Sequence, residues 1–256
     1  MDLKYGESMK KRKLLIIYYH EVVEQGCGYS YQKIEKDKFE EQMKYLSENG
    51  YQTLFFSELS KSLPEKAVIV SFDDGLKSVY DNAFSIMKKY RIKGNVYLPT
   101  AYIGNDEHFM DWNMVRDLCD SGVFEMQAHT HNHTDIRTYS VEDMLNEVNT
   151  SAEILDKELG FDPSAFCIPF GMYDRKSILK LRKINKYKYI LGSYYGRIPE
   201  NRLSTNVLPR IGISNDDSIE KFVDKIEGKY DWKGILQRIR LLLCNCKRER
   251  ITEYKY

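Results

Sequence analysis

The stretch Ala67-Val68-Ile69-Val70-Ser71-Phe72-Asp73-Asp74-Gly75 decides the fold of this chain. Its first six residues are apolar or small, as expected for a strand that is covered on both faces. The Asp-Asp-Gly that follows is typical of a turn at the end of such a strand. In parallel sheets, functional groups collect at the carboxyl ends of the strands. Adjacent side chains diverge, so one of these aspartates can bind a metal while the other handles a proton.

Strand and helix patterns alternate along the rest of the chain. Repeated strand–helix units predict a parallel sheet covered by helices, either a barrel or a doubly wound sheet. The 256 residues suit a barrel, but the pattern alone does not choose between the two. The predicted strands are 14–19, 51–56, 67–72, 95–98, 123–128 and 165–168, and the predicted helices are 39–49, 76–90, 112–121, 140–159 and 174–187.

Composition places the chain among ordinary soluble globular proteins. Hydrophobic residues make up 42% and charged residues 30%, and the net charge of +1 gives no basic field for nucleic acid. The five cysteines form no framework of a disulfide-stapled domain. The apolar run at residues 14–19 follows four basic residues but is too short for a signal peptide, and no run approaches the roughly 20 apolar residues of a membrane span. A cytoplasmic location is the default expectation.

Polar motifs follow several of the predicted strands. His20, Asp73-Asp74, residues 129–133 and Pro169-Phe170-Gly171 each come directly after a strand, and in a barrel these strand ends share one face. Residues 129–133, His-Thr-His-Asn-His, contain three of the five histidines. An aspartate with two histidines makes a hydrolytic metal site. Taken alone, Asp-Asp-Gly is more often a simple turn, and His131 could be only a solvent-facing neighbour.

These motifs together resemble those of the polysaccharide deacetylases, the NodB-homology or carbohydrate esterase family 4 proteins. Residues 71–75 resemble the first motif, (T/S)-F-D-D-G, and residues 129–133 match H-(S/T)-x-x-H. Residues 166–171, Phe-Cys-Ile-Pro-Phe-Gly, are similar to the third motif, F-R-P-P-Y-G. The segments 18–22 and 208–213 look like the subgroup that deacetylates poly-N-acetylglucosamine. The resemblance covers about residues 14–227, leaving an N-terminal extension at 1–13 and a tail at 228–256.

The resemblance implies a distorted (β/α) barrel that removes acetyl groups from N-acetylated amino sugars of a glycan or glycan precursor. At the matching positions, Asp74, His129 and His133 would bind a divalent metal and Asp73 would be the general base. Zinc is the expected metal, and cobalt, nickel or manganese are chemically possible. The metal would polarise the acetyl carbonyl and acidify water. Phe170, between Pro169 and Gly171, would bind substrate and offer its backbone N–H as an oxyanion donor.

Two departures from the family pattern concern the acid and the base. The usual family takes its general acid from a C-terminal Leu-x-His motif, whereas no histidine follows His133 here. The resemblance to the poly-N-acetylglucosamine subgroup assigns that role to His20, although a lone histidine is more often a satisfied buried residue. Cys167 stands where the third motif has an arginine that orients the base. Arg210, which ends another predicted strand, is expected to replace that guanidinium from a different direction.

Two further functions and one possible membrane contact stay open at this stage. The missing arginine and histidine would also fit a catalytically weak relative that binds glycan, and an O-deacetylase could use the same barrel. Residues 233–250 form a basic amphipathic segment that could lie on an anionic membrane. More often such a helix packs its apolar face on its own domain. Membrane contact would have a purpose if the substrate is a lipid-linked precursor.

Overall fold

The computed structural model describes residues 12–26, 30–60, 62–204 and 207–243 of the chain. Ten of its strands form one sheet, and β2 and β3 form a separate parallel pair. The strands are β1 Lys13–Tyr19, β2 Glu21–Val23, β3 Lys33–Glu35, β4 Gln52–Thr53, β5 Ala67–Phe72, β6 Gly94–Leu98, β7 Phe124–Ala128, β8 Ala165–Cys167, β9 Tyr189–Leu191, β10 Ile198–Pro199, β11 Val207–Leu208 and β12 Ile211–Gly212.

The large sheet curls into a nearly closed barrel. Its order is β10-β1-β5-β6-β7-β8-β9-β11, and the neighbours from β1 to β11 are parallel. β11 pairs with β9, whereas β12, which begins three residues after β11 ends, pairs with β1 through Ile17 and Ile211. The segment 207–212 therefore joins the two edges of the sheet. Arg210 lies in this segment, between the two short strands.

Helices cover the outside of the barrel, and their ends follow the capping signals of the sequence. Ser140 and Asp143 form a capping box at the start of the longest helix, and Gly160 ends that helix in a left-handed conformation. Asp174 and Ser177 form a second capping box. The helices are α1 Lys36–Glu48, α2 Phe84–Tyr90, preceded by a π-helical turn at Val79–Ala83, α3 Trp112–Asp120, α4 Val141–Leu159, α5 Arg175–Ile184, α6 Ile219–Ile226 and α7 Asp231–Leu243.

Strand alternation divides the core into two hydrophobic clusters. One cluster, which includes Ile17 and Val70, lies between the sheet and the helices. The other, which includes Ile69, Tyr97 and Cys167, fills the barrel. Because side chains alternate along a strand, the interior row that contains Ile69 continues at every second residue to Asp73. The pleat thus directs Asp73 toward the mouth of the barrel.

The barrel predicted from the sequence is confirmed, and the structure differs from the expectation at one strand. The predicted strand 51–56 contains only β4, because the chain turns into a 3₁₀ helix, Phe56–Ser60, and buries Phe56 in the barrel interior. Of the predicted extension and tail, residues 1–11 and 244–256 lie outside the described residues. None of the helices in the described part of the chain has the length and apolarity needed to cross a bilayer.

Candidate active site

The polar strand ends converge at one end of the barrel, as the sequence predicts. His20 follows β1, Asp73 and Asp74 follow β5, and His129 and His133 follow β7. The backbone N–H of Asp73 donates to the carbonyl of Tyr19 over 2.9 Å, which ties the end of β5 to the end of β1. The four carboxylate and histidine side chains from β5 and β7 are all buried.

Asp74, His129 and His133 form a three-sided group that fits a metal ion. Asp74 Oδ1 lies 3.2 Å from His129 Nε2 and 3.3 Å from His133 Nε2, and the two nitrogens are 3.1 Å apart. Nitrogen and oxygen ligands at about 2.0–2.1 Å from a tetrahedral zinc lie about 3.3 Å from one another. The spacing of these three atoms is therefore close to that of a zinc-binding triangle.

The hydrogen bond on the far side of the His129 ring prepares it for ligation. His129 Nδ1 lies 2.8 Å from the carbonyl oxygen of Cys167. Because a carbonyl can only accept, Nδ1–H donates to it, and Nε2, on the Asp74 side of the ring, is the atom that would bind a metal. Burial lowers the pKa of His129, but its contacts with Cys167 and Asp74 outweigh that effect and raise the pKa well above its ordinary value, so Nε2 donates to Asp74. Burial lowers the pKa of His133, which favours the neutral ring that a metal ligand requires. Burial raises the pKa of Asp74, but hydrogen bonds from the two histidines outweigh it and hold that pKa well below its ordinary value.

Backbone strain concentrates at this group. Six non-glycine residues in the described part of the chain have positive φ, and two of them, Arg91 and Asn185, end α2 and α5 in the usual left-handed conformation. Such a conformation costs of order 1–3 kcal/mol per residue and persists only where the surrounding structure imposes it. The other four all lie at the site: Asp74 (74°), Thr130 (66°), His133 (48°) and Phe170 (57°).

Glu147 on α4 holds the loop between the two histidines. Its Oε2 accepts hydrogen bonds from the backbone N–H groups of His131 and Asn132, each over 2.9 Å, and its Oε1 accepts from the Asn132 amide over 2.5 Å. Thr130 Oγ1 accepts from the His133 N–H over 2.9 Å. These bonds satisfy backbone donors in the loop and stabilise its strained conformation. Glu147 is not predicted from the sequence, because nothing in its local pattern separates it from the other acids of α4.

Asp73 is paired with Arg210 inside the barrel. The guanidinium binds both carboxylate oxygens, with Nη1–Oδ1 at 2.6 Å and Nη2–Oδ2 at 2.9 Å, and Nε donates to the carbonyl of Gly192 over 2.9 Å. The Arg210 guanidinium carbon lies 4.4 Å from the ring centre of Tyr18 and 5.2 Å from that of Tyr97. Burial raises the pKa of Asp73, but the charge and hydrogen bonds of Arg210 outweigh it and keep that pKa lowered.

His20 and Phe170 border the metal-binding group. His20 is half-buried, and its ring centre lies 5.7 Å from that of Tyr18. The preceding residue, Tyr19, accepts the hydrogen bond from the Asp73 backbone N–H, so His20 leaves β1 next to the turn that carries the two aspartates. The Phe170 ring packs edge-on against His133 at 4.6 Å. Phe170 lies in the 3₁₀ turn Pro169–Gly171, whose Pro169 and Gly171 are buried.

Comparison with known proteins agrees with this geometry. The family model for polysaccharide deacetylase matches residues 60–190, about half of the chain, and includes the aspartates and histidines of the site. The chain belongs to the polysaccharide deacetylase family. It is 28% identical over 180 residues to YxkH of Bacillus subtilis (strain 168), named as a polysaccharide deacetylase, with coverage of 68% of this chain and 62% of that protein. It therefore spans less than two thirds of this relative's length.

Another relative is named for a more specific reaction. The chain is 24% identical over 221 residues to poly-β-1,6-N-acetyl-D-glucosamine N-deacetylase of Staphylococcus aureus, with coverage of 77% of this chain and 73% of that protein. Among solved structures, a polysaccharide deacetylase from Bacillus cereus superposes with a TM-score of 0.75 at 26% identity, covering 84% of this chain and 69% of that one. IcaB from Ammonifex degensii, at 21% identity and a TM-score of 0.71, shares the fold over 84% of this chain and 97% of its own.

The polysaccharide deacetylase site departs from the family motif at Cys167. This thiol is buried next to Asp73, with Sγ 3.9 Å from Asp73 Oδ2. Burial raises the pKa of Cys167, so the thiol stays protonated beside the carboxylate. The guanidinium that is missing at Cys167 comes instead from Arg210, in the segment 207–212 that closes the barrel. Asp73, His129 and Cys167 form a second group that could hold a metal, but the bond of Asp73 to Arg210 already uses both of its oxygens.

Proposed function

We propose that the protein is a metal-dependent hydrolase that removes acetyl groups from N-acetylated amino sugars of a glycan or glycan precursor. The observation that carries this proposal is the triangle of Asp74, His129 and His133 beside an arginine-paired Asp73. The triangle can hold a metal while Asp73 takes a proton from water. The relative named as a poly-β-1,6-N-acetyl-D-glucosamine N-deacetylase supports an amino-sugar substrate.

The metal assigned to Asp74, His129 and His133 is zinc, with cobalt, nickel or manganese as alternatives. When bound, a divalent metal polarises the acetyl carbonyl and makes water more acidic. Asp73 then takes the proton of the attacking water, and its bidentate bond to Arg210 keeps the carboxylate ionised and fixed in direction. The Phe170 backbone N–H is proposed as a hydrogen-bond donor to the developing oxyanion, with Pro169 and Gly171 shaping the turn that presents it.

His20 is assigned as the general acid. An amine is a poor leaving group unless it is protonated, so cleavage of an acetamide needs a proton donor on the leaving-group side. His20 follows the end of β1, which is tied to the aspartate turn through Tyr19 and Asp73, and it is only half-buried, so it can reach substrate and exchange protons with solvent. Arg210 pairs with Asp73 and provides the guanidinium that is missing at Cys167. The missing arginine of the third motif therefore does not favour the glycan-binding alternative.

The test measures acetate release from β-1,6-linked N-acetylglucosamine oligosaccharides by the zinc-loaded protein. Asp73→Asn should lower kcat by about 10²–10⁴-fold while zinc remains bound, because Asp73 is not in the ligand triangle. His133→Ala should lose both zinc and activity. Zinc binding by the unaltered protein without acetate release from any N-acetylated oligosaccharide would contradict the proposal and favour the glycan-binding alternative.

A second comparison separates the role of His20 from general damage to the site. His20→Ala should slow acetamide cleavage by about 10²-fold or more but change the hydrolysis of 4-nitrophenyl acetate much less, because nitrophenolate leaves without protonation. Asp73→Asn is the matched control, since loss of the base should slow both substrates. Equal loss on both substrates for His20→Ala would count against His20 as the acid. Faster release of acetate from O-acetylated than from N-acetylated sugars would favour an O-deacetylase.

A further inference from the structure

Helix α7 lies on the protein with its apolar face turned outward. Four of the eight large hydrophobic side chains that are exposed in the described part of the chain belong to this helix. Together they form what we call the outer stripe, with exposed fractions of 58%, 66%, 61% and 47%: Trp232, Ile235, Leu236 and Ile239. At about 100° per residue, this stripe occupies an arc of about 100° on the helix.

The opposite side of α7 makes the contacts with the barrel, and it is small and polar. Gly234 is buried so closely against the backbone of Tyr195 that an added Cβ would lie 1.7 Å from its carbonyl oxygen. Gln237 Oε1 accepts a hydrogen bond from the Tyr195 N–H over 2.9 Å, and Asp231 pairs with Arg197 at 2.8 Å. The helix is thus fixed by contacts that leave the outer stripe facing solvent. The expectation that its apolar face packs on its own domain is wrong for the described residues.

Basic residues flank the outer stripe on both sides. Around the helix, Lys233 lies about 60° beyond the Leu236 edge of the stripe, and Arg238 lies about 60° beyond the Ile235 edge. The one acid of the described helix, Asp231, is already paired with Arg197. The sequence continues with further basic residues at Lys247, Arg248 and Arg250. An apolar stripe with a tryptophan, bordered by basic residues, is the pattern of helices that lie in the interface of an anionic membrane.

We propose that the outer stripe of α7 docks the protein on a membrane surface that contains anionic phospholipid. The charges favour lipid over a second copy of the chain. In a two-fold contact between antiparallel α7 helices, each flank would face the same flank of the other copy, so the two Lys233 side chains would lie on one side and the two Arg238 side chains on the other, and like charges would repel. Anionic headgroups instead complement both residues, while the stripe enters the acyl boundary.

The position of α7 connects this surface to the active site. Gly234 and Gln237 contact Tyr195, in the segment that follows β9 at the carboxyl end of the barrel. The carbonyl of the preceding residue, Tyr194, accepts a hydrogen bond from the Arg210 backbone N–H over 3.0 Å. A docked α7 would hold the rim of the site near the membrane, where an acetylated glycan attached to lipid would be within reach.

The experiment uses the full chain with vesicles of phosphatidylcholine, with or without phosphatidylglycerol. The chain has two tryptophans, so Trp112→Phe leaves Trp232 as the only one. Vesicles that contain phosphatidylglycerol should shift its fluorescence to shorter wavelength and float the protein, and added salt should weaken both effects. Phosphatidylcholine alone should have little effect. Failure of the protein to bind anionic vesicles would overturn the proposal.

A matched pair of variants locates the contact. Ile235→Gln with Leu236→Gln should weaken binding by about tenfold or more. Leu179→Gln removes an equally exposed leucine from α5 and should leave binding unchanged. Thermal unfolding of each variant checks that the fold is kept. Equal weakening by both would overturn the proposal, as would a dimer in solution that the α7 substitutions dissociate, because the stripe would then be a contact between copies.

Discussion

At the scale of single residues, Arg210 determines the ionisation and orientation of Asp73, the proposed general base. The guanidinium binds both oxygens of Asp73 and is itself held between Tyr18 and Tyr97. Lysine keeps the positive charge but cannot form the two parallel bonds or the flat stack. We therefore expect Arg210→Lys to lower kcat of acetate release by about 10²-fold, because the carboxylate is no longer held in one direction.

The control for this prediction is Arg202→Lys, which changes an exposed arginine in the 3₁₀ turn after β10, and β10 pairs with the start of β1 at the opposite end of the barrel from the site. Zinc binding should be unchanged in both variants, since neither residue belongs to the ligand triangle. An Arg210→Lys protein with full activity would mean that Asp73 needs no orientation by this residue.

The site residues differ in how well they can be predicted from the sequence. Asp73, Asp74, His129 and His133 belong to two short motifs, so local sequence was enough to bring them together. Arg210 could be inferred only from its place at the end of a predicted strand. Glu147 could not be inferred, because its contact with the loop at 131–132 depends on how α4 packs in three dimensions. A short sequence motif can identify a side chain that takes part in chemistry. The contacts that hold such a side chain in place depend on the three-dimensional fold.

At the scale of elements, the turn at Pro169–Gly171 requires a glycine for two reasons. Gly171 has a φ of 62°, and an added Cβ would lie 2.2 Å from Ser193 Cβ and 3.2 Å from the Ser193 backbone. Gly160, at the end of α4, has a φ of 71° but no atom within 4 Å of an added Cβ. Gly160→Ala should therefore cost only the backbone strain, about 1–2 kcal/mol of unfolding free energy. Gly171→Ala should cost about 1–3 kcal/mol more, because Ser193 must move.

Urea unfolding of the two variants measures this difference directly. The comparison isolates the contact with Ser193, because both glycines have nearly the same backbone conformation. Equal losses of stability would show that the packing of the turn against Ser193 is easily relaxed.

A buried ion pair fixes α6 to the strand that closes the barrel. Lys225 Nζ lies 2.5 Å from Asp217 Oδ2 and donates to the carbonyl of Gly212 in β12 over 2.8 Å. Burial raises the pKa of Asp217, but bonds from Lys221 and Lys225 outweigh it and keep that pKa lowered. Asp217→Asn should cost about 3–5 kcal/mol near neutral pH, because Lys225 is left buried without its carboxylate.

The pH dependence follows from the lowered pKa of Asp217. The stability that this carboxylate contributes is fully present above its pKa in the unfolded chain and is lost as the pH falls through the lower pKa of the folded protein. The difference between the original protein and Asp217→Asn should therefore shrink on acidification from pH 7 toward about pH 3. Urea unfolding across this range measures it. The double variant Asp217→Asn with Lys225→Met should regain stability at pH 7, and a constant difference at all pH values would contradict the assignment.

At the scale of the whole molecule, the strand–helix pattern predicted the layers, whereas the barrel was predicted only from the resemblance to the family. Long strands such as β5 have a clear apolar pattern, so the alternation of strands and helices could be predicted from the sequence. The choice between a barrel and a doubly wound sheet depends on β11 and β12, which have two residues each and no readable period. The orientation of α7 was also hidden, because it depends on the contact of Gly234 with Tyr195 rather than on the apolar residues of the helix.

Metal binding should stabilise the whole fold, because the three ligands come from two strand ends that must stay together. Asp74 follows β5, and His129 and His133 follow β7, so the metal would link segments that separate on unfolding. Zinc at about 100 times its Kd should add about 2.7 kcal/mol to the unfolding free energy and raise Tm. Chelator-treated protein should unfold at lower temperature, and calorimetry with and without zinc measures the shift. His133→Ala should abolish it. His131→Ala is the matched control, since the His131 ring bonds Thr100 and lies outside the ligand triangle. A shift that survives His133→Ala would place the metal elsewhere.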